Sequence, residues 1–171
     1  MQPIIFVDLD GVLVDLQGGL GSILQIDLNN HTRDEFEPIL KNYLKNLDTK
    51  QLVDFWSKLP KTKDCDKLWK FVTNFQPLIL TASANNEASC LGKKLWCKKN
   101  LGLSSDRVFC SKSSTEKQKY ASPKSILIDD YKRNISQFNK NGGHGILHTR
   151  TNKTILQLKK LIKKLGSTQK Q

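Results

Sequence analysis

Four aspartates stand in two pairs, each directly after a short apolar run: Asp8 and Asp10 after Ile4 to Val7, and Asp129 and Asp130 after Ile126 to Ile128. Asp8 and Asp10 are one residue apart, so their side chains leave an extended chain on the same side, and Gly11 permits a sharp turn just beyond. Acids crowded together repel one another unless a hard cation sits among them. Oxygen donors and a phosphate-bearing substrate favour Mg²⁺ over zinc. Taken alone, Asp10-Gly11 could equally be a turn. The second pair turns the reading toward a shared cation site. Thr81 and Ser83 follow a third apolar run and add chemically capable hydroxyls.

Such residues meet only if the runs are neighbouring strands. Ile4 to Val7 reads as a strand buried on both faces, as in a parallel sheet. Pro77 to Thr81 and Ser125 to Asp130 read likewise, with Gly145 to His148 as a fourth strand and Arg107 to Cys110 as a fifth. Helix-length segments separate them, which is the βαβ rhythm of an open α/β sheet. In such a sheet ligands bind beyond the carboxyl ends of the strands, where the acids and hydroxyls fall.

Helices are expected over Glu87 to Asn100, with Ala88, Leu91, Leu95 and Trp96 near helical spacing and Gly102 as the stop, over Ile135 to Asn139, and over Thr154 to Leu165. The last places Ile155, Leu158, Ile162 and Leu165 on one face and four lysines mainly elsewhere. It reads as a docked final helix with solvated lysines, or as a polyanion-binding helix. Residues 16–75 break the rhythm, with helix-like stretches at Thr32 to Asn46 and Thr49 to Leu59 but no convincing strand. The simplest organisation is an α/β core of residues 1–15 and 76–171 with a helical insertion over 16–75. Gln17 to Gly21, rich in glycine, would be its flexible lead-in, the stretch around Pro60 to Asp66 its exit, and the terminal GSTQKQ disordered. Phe36, Tyr43, Phe55 and Trp56 are expected to pack within the insertion, although one could cover a nucleobase. Trp96 is expected in the core, and His144 and His148 as ordinary structural residues. Asp15 could cap a helix, and Ser83, Asn85 and Asn86 could line the site or only start one.

The chain of 171 residues carries a formal net charge of +12, concentrated from residue 76 onward. That field would attract phosphate-bearing substrates or nucleic acid, or only keep the protein soluble. No apolar stretch approaches the roughly 20 residues of a membrane helix, and nothing at the N-terminus resembles a signal peptide, so a cytoplasmic protein without a membrane partner is expected. Cys65, Cys90, Cys97 and Cys110 form no CxxC pair, which argues against a sulfur-based metal site and for reduced structural thiols.

FVDLDGVLVD, LILTAS, a lysine ahead of the last acidic strand, and SILIDD, in that order, resemble the motifs of the haloacid dehalogenase-like (HAD) hydrolases. The insertion after the first strand resembles a helical cap of that superfamily. Trp96 followed by LG, KYASP, ILIDD and GGHGILH look most similar to small bacterial and phage proteins related to the 5'(3')-deoxyribonucleotidases. The resemblance implies that Asp8 attacks phosphorus to form an aspartyl phosphate and that Asp10 serves as general acid and base. It implies that Mg²⁺ is held by Asp8, the Asp10 backbone carbonyl, and Asp129 or Asp130. Thr81, with backbone donors at Ala82, would hold the phosphoryl group. Lys119, ten residues before Asp129, fits the spacing of the family lysine, with Lys117 a close rival. The expected substrate is a small phosphorylated molecule, a nucleotide by the subgroup resemblance. Phosphorylated ends of DNA or RNA, or a nucleotide- or partner-binding regulatory role with little turnover, remain open, as does the oligomeric state.

Overall fold

The computed structural model describes residues 2–167. Five strands, β1 (Ile4–Val7), β2 (Leu78–Ala82), β3 (Val108–Ser111), β4 (Ser125–Asp129) and β5 (His144–Leu147), form one sheet in the order β3-β2-β1-β4-β5, and every pairing is parallel. The fold is therefore α/β with an open parallel sheet, as expected. Each strand lies within one residue of its expected bounds.

Alternation sorts the strand residues between two hydrophobic layers. Ile5, Val7, Ile79, Ile126, Ile128 and Ile146 join the larger cluster, and Phe6, Leu80 and Leu127 the smaller. The smaller cluster is completed by Ile135 and Phe138 of α6 (Lys132–Lys140). The larger takes in Leu68 and Val72 of α4 (Cys65–Val72), Trp96 and Cys97 of α5 (Glu87–Leu101), and Leu158 of α7 (Thr151–Ser167). β1 runs through the centre, in register with Leu78 and Ile79 on one side and with Ser125 to Ile128 on the other. That register puts the ends of β1, β2 and β4 side by side.

Between β1 and β2 the chain is helical: α1 (Leu16–Leu24), α2 (Arg33–Lys45), α3 (Thr49–Lys58) and α4. Thr32 with Glu35 and Asp48 with Gln51 form capping boxes that start α2 and α3, which satisfy backbone donors the first turn leaves unpaired. One expectation fails here. Gln17 to Gly21 is not a flexible lead-in but the body of α1, begun by the Asp15 side chain accepting from the Gly18 N–H. Its glycines serve close packing: a Cβ on Gly19 would lie 2.6 Å from Leu59 Cδ2, and one on Gly21 2.7 Å from the Ile26 carbonyl oxygen. The exit stretch, in turn, leads into α4, whose Cys65, Leu68, Trp69 and Val72 are buried. Phe55 packs between Tyr43 and Trp56, with ring centroids 5.4 and 5.0 Å away, so these insertion aromatics pack together as expected.

Trp96 is fully buried and donates to the Leu59 carbonyl at 2.7 Å. His144 and His148 bond Pro123 O and Thr154 Oγ1, respectively. α7 buries Leu158 and leaves Lys159 and Lys160 exposed. It continues through Gly166 and Ser167, so only the last four residues of the expected disordered tail lie outside the described residues.

The thiol expectation needs correction. Cys90 in the first turn of α5 and Cys110 in β3 form a disulfide, with Cα atoms 5.9 Å apart, inside the range a bridge requires. Cys65 and Cys97 are free and buried. Burial pushes their thiols up to about 11 and about 12, which suits inert structural residues. No helix among the described residues is long and apolar enough to cross a membrane.

Candidate active site

The Asp8 backbone N–H donates to the Ile128 carbonyl, which continues the β1–β4 ladder one step past the strand. Leu9 O then accepts from the N–H groups of Val12, Leu13 and Val14, and Gly11 makes the turn at φ +76°. A side chain at Gly11 would be strained by that φ, and its Cβ would fall 2.3 Å from Asp130 Oδ2. The turn is braced from the insertion by Thr62, whose N–H donates to Leu13 O and whose hydroxyl donates to Val12 O.

Asp8 is buried, and its Oδ1 accepts from the Leu9 N–H at 2.8 Å. Its Oδ2 pairs with Lys117 Nζ at 2.7 Å. The same ammonium pairs with Asp129 Oδ2, also at 2.7 Å. Asp129 is fully buried at the end of β4, and its oxygens also accept from the Tyr131 N–H and the Asn134 amide. Asp130 beside it is exposed as a residue, but its carboxyl packs against the Gly11 turn. One carboxylate oxygen from each of Asp8, Asp129 and Asp130 lies within 4.8 Å of the others. Three hard oxygen donors at that spacing fit a divalent cation of the Mg²⁺ type.

The charges are strongly coupled. Burial pushes the Asp8 carboxyl up to about 8; Lys117 opposes this, while Asp129, Asp10 and Asp130 add to it. Asp130 is pushed up to about 6, first by desolvation and then by Asp129. Burial works against the Lys117 charge too, but Asp8 and Asp129 outweigh it and hold the ammonium above the ordinary lysine range. Lys117 is thus a fixed cation among acids that would otherwise share protons.

Thr81, fully buried at the end of β2, and Ala82 beside it complete the cluster. Lys93 of α5 joins them to Asp10: its Nζ donates to Asp10 Oδ2 at 2.5 Å, Thr81 Oγ1 at 3.1 Å and Ala82 O at 2.8 Å. Asp10 Oδ1 is buried and has no hydrogen-bond partner. Beyond Ser83, Ala84 and Asn85 adopt left-handed backbone, at φ 51° and 55°, before Asn86 caps α5. Non-glycine residues occupy that region at a cost of about 1–3 kcal/mol each, so the β2–α5 turn is held by its surroundings.

Neither a protein-family profile nor any curated protein matches the sequence. Solved structures do match. A HAD-superfamily hydrolase from Ehrlichia chaffeensis superposes with a TM-score of 0.52 at 14% identity, over 96% of this chain and 98% of that one. A HAD phosphatase from Thermococcus onnurineus gives 0.53 at 13% identity, over 93% and 97%. CbbY from Rhodobacter sphaeroides, solved with xylulose-1,5-bisphosphate, gives 0.52 at 11% identity, over 88% and 87%. The chain has the HAD-hydrolase fold.

On this HAD fold, Asp8, Asp10, Thr81, Ala82, Asp129 and Asp130 come together at one sheet edge, whereas Lys119 does not. Its ammonium pairs with Glu116 at 2.6 Å, and its side chain is 68% exposed. The choice between the two lysines is set by local geometry. Residues Ser114–Tyr120 form a 3₁₀ segment, in which about three residues complete a turn, so positions two apart point in different directions. With Lys117 inward, Lys119 must face out.

Two further residues escaped the sequence reading. Asn134, on α6, clamps Asp129; its signal was its place one turn past the Asp pair. Lys93 is only 2% exposed, but in the sequence it is one of several lysines on a basic helix. Its signal lay in helical phase, since Ser89, Lys93, Trp96 and Cys97 share the buried face.

Proposed function

We propose that the chain is a Mg²⁺-dependent phosphomonoesterase whose nucleophile is Asp8, with a nucleotide as its substrate. The observation that carries this reading is the Asp8 carboxylate at the end of the central strand, held by Lys117 and within 4.8 Å of Asp129 and Asp130 oxygens. The resemblance of the four motifs supports it independently.

In the first step an Asp8 carboxylate oxygen forms a bond to phosphorus as the bond to the leaving oxygen breaks. Asp10 gives that oxygen its proton. In the second step Asp10 takes a proton from water, the water oxygen bonds to phosphorus, and the Asp8–phosphorus linkage breaks to release phosphate. Lys93 orients Asp10 by holding Oδ2, which leaves Oδ1 for the proton in transit. Thr81 and the backbone at Ala82 bind the phosphoryl oxygens. The Asp8 carboxylate, the Asp10 carbonyl and either Asp129 or Asp130 would hold Mg²⁺, which would offset the charge of the phosphoryl group. Asp129 is already engaged by Lys117, Tyr131 and Asn134, so Asp130 is the more available donor of the two. Residues 16–75 act as a cap: Arg33 of α2 stacks on Tyr131, next to Asp130, at 3.9 Å, and Trp56 of α3 lies over Lys93.

The test is phosphate release with Mg²⁺ from a panel of nucleoside monophosphates, sugar phosphates and phosphorylated oligonucleotides. Nucleoside monophosphates are expected to turn over fastest. Preference for the oligonucleotides would move the substrate to nucleic-acid ends, and a silent panel would leave a binding role.

Metal binding should depend on pH in a defined direction. Asp8 and Asp130 bind a cation only when ionised, and burial raises their values to about 8 and about 6. Binding therefore expels protons, and affinity rises with pH. The increase in melting temperature produced by Mg²⁺ is expected to be largest near pH 8 and to shrink as pH falls through 6. An increase independent of pH across that window would place the cation elsewhere.

A further inference from the structure

Lys93 spends all three of its N–H donors on Asp10, Thr81 and Ala82. Its remaining side is covered by Trp56, whose ring centroid lies 4.2 Å from Nζ. That indole comes from α3, in the insertion, whereas the three hydrogen-bond acceptors of Lys93 belong to the ends of β1 and β2. The approach is possible only because the residue before Lys93 is Gly92: a Cβ there would lie 2.7 Å from both Trp56 Cβ and the Val53 carbonyl oxygen. Gly92 thus lets α3 press onto α5 at the one turn where the ring can reach the ammonium. Cations over a desolvated tryptophan face are held most strongly among the aromatics, and Lys93 and Trp56 are both buried.

We propose that Trp56 is a positioning residue for the reaction: it holds the Lys93 ammonium in the place from which it orients Asp10 and Thr81. This rests on the phosphomonoesterase reading. The cap then contributes to chemistry through Lys93, besides enclosing the substrate. The ring face is the active element, so phenylalanine should substitute in part and leucine should not.

Three measurements test this on the full chain. First, Trp56→Leu is expected to lower kcat by about three- to thirty-fold with KM little changed, and Trp56→Phe to recover most of the loss. Second, tryptophan fluorination is close to isosteric and weakens the ring's pull on a cation. Protein carrying fluorinated tryptophan should lose kcat stepwise with the degree of fluorination, and the same labelling in Trp56→Phe, where Trp69 and Trp96 remain, should have no such effect. Equal losses in both backgrounds, or none in either, would overturn the proposal even if Trp56→Leu failed to fold. Third, acetic anhydride labelling of Lys93, followed by mass spectrometry, needs no turnover. Lys93 should label faster in Trp56→Leu than in the wild type while the melting curve stays cooperative, and an unchanged rate would overturn the positioning role. A wild-type protein that released no phosphate from any substrate would defeat the enzyme reading, and the labelling rate would still decide what Trp56 does to Lys93.

Discussion

Asp8→Asn is expected to abolish Mg²⁺-dependent phosphate release, a loss on the order of 10⁴-fold or more, as removal of a nucleophile from an acting unit produces. The amide has no anionic oxygen to bond phosphorus, and it supplies a weaker donor to the cation. The protein should nonetheless fold. Lys117 keeps Asp129 as its partner at 2.7 Å, and one acid is removed from a crowded set. The sign of the stability change is open to prediction. The folded-state value of Asp8, about 8, lies above its ordinary 3.8, so the folded protein holds a proton that the unfolded chain has lost. Stability contributed by the protonated form is therefore present at low pH and fades as pH rises from about 4 through 8. The amide that replaces the carboxyl does not titrate. Without metal, the variant should match or exceed the wild type in melting temperature at pH 8 and above, while phosphate release from an aryl phosphate falls to background. Residual release within a factor of ten of wild type would mean that Asp8 is not the nucleophile.

How much of this was legible in the sequence follows from what each feature depends on. β1, β2 and β4 are buried on both faces, and such strands advertise themselves as unbroken apolar runs. Their acidic or hydroxyl ends follow from the chain itself, and the parallel register does the gathering. α1 was misread because its glycines look like freedom, whereas they are contact points for Leu59 and for the backbone at Ile26. α5 lies where its spacing places it, with Ala88 and Trp96 buried, but Leu91 and Leu95 are exposed, and the buried side also carries Ser89, Gly92 and Lys93. A face whose key members are a glycine and a lysine gives no hydrophobic signal. The Cys90–Cys110 bridge depends on β3 passing beside the start of α5, which no spacing along the chain reveals.

Lys117 and Lys119 are chemically identical and two residues apart, so they offer the sharpest contrast in the molecule. Lys117→Met is expected to destabilise the protein by about 3–5 kcal/mol, because breaking a buried ion pair leaves its partners uncompensated. Here the stranded partners are Asp8 and Asp129, both buried, with Asp129 fully so. Lys119→Met removes an exposed pair with Glu116, of a kind worth about 0–1 kcal/mol, and should change neither stability nor turnover appreciably. Methionine nearly matches the lysine stem in length, so a cavity is not the main cost at position 117. The pH dependence separates the two explanations. Without Lys117 the Asp8 carboxyl has lost the charge that opposed its burial, so its folded-state value rises further. The variant's deficit should then shrink as pH falls and Asp8 takes up its proton, whereas a packing defect would cost the same at every pH. Activity at neutral pH should fall by at least about 10²-fold, the scale of losing one preorganised electrostatic group at a reacting centre. If Lys119→Met were the damaging change and Lys117→Met the silent one, the inward direction of the 3₁₀ segment would be wrong, and the proposed cation beside Asp8 with it.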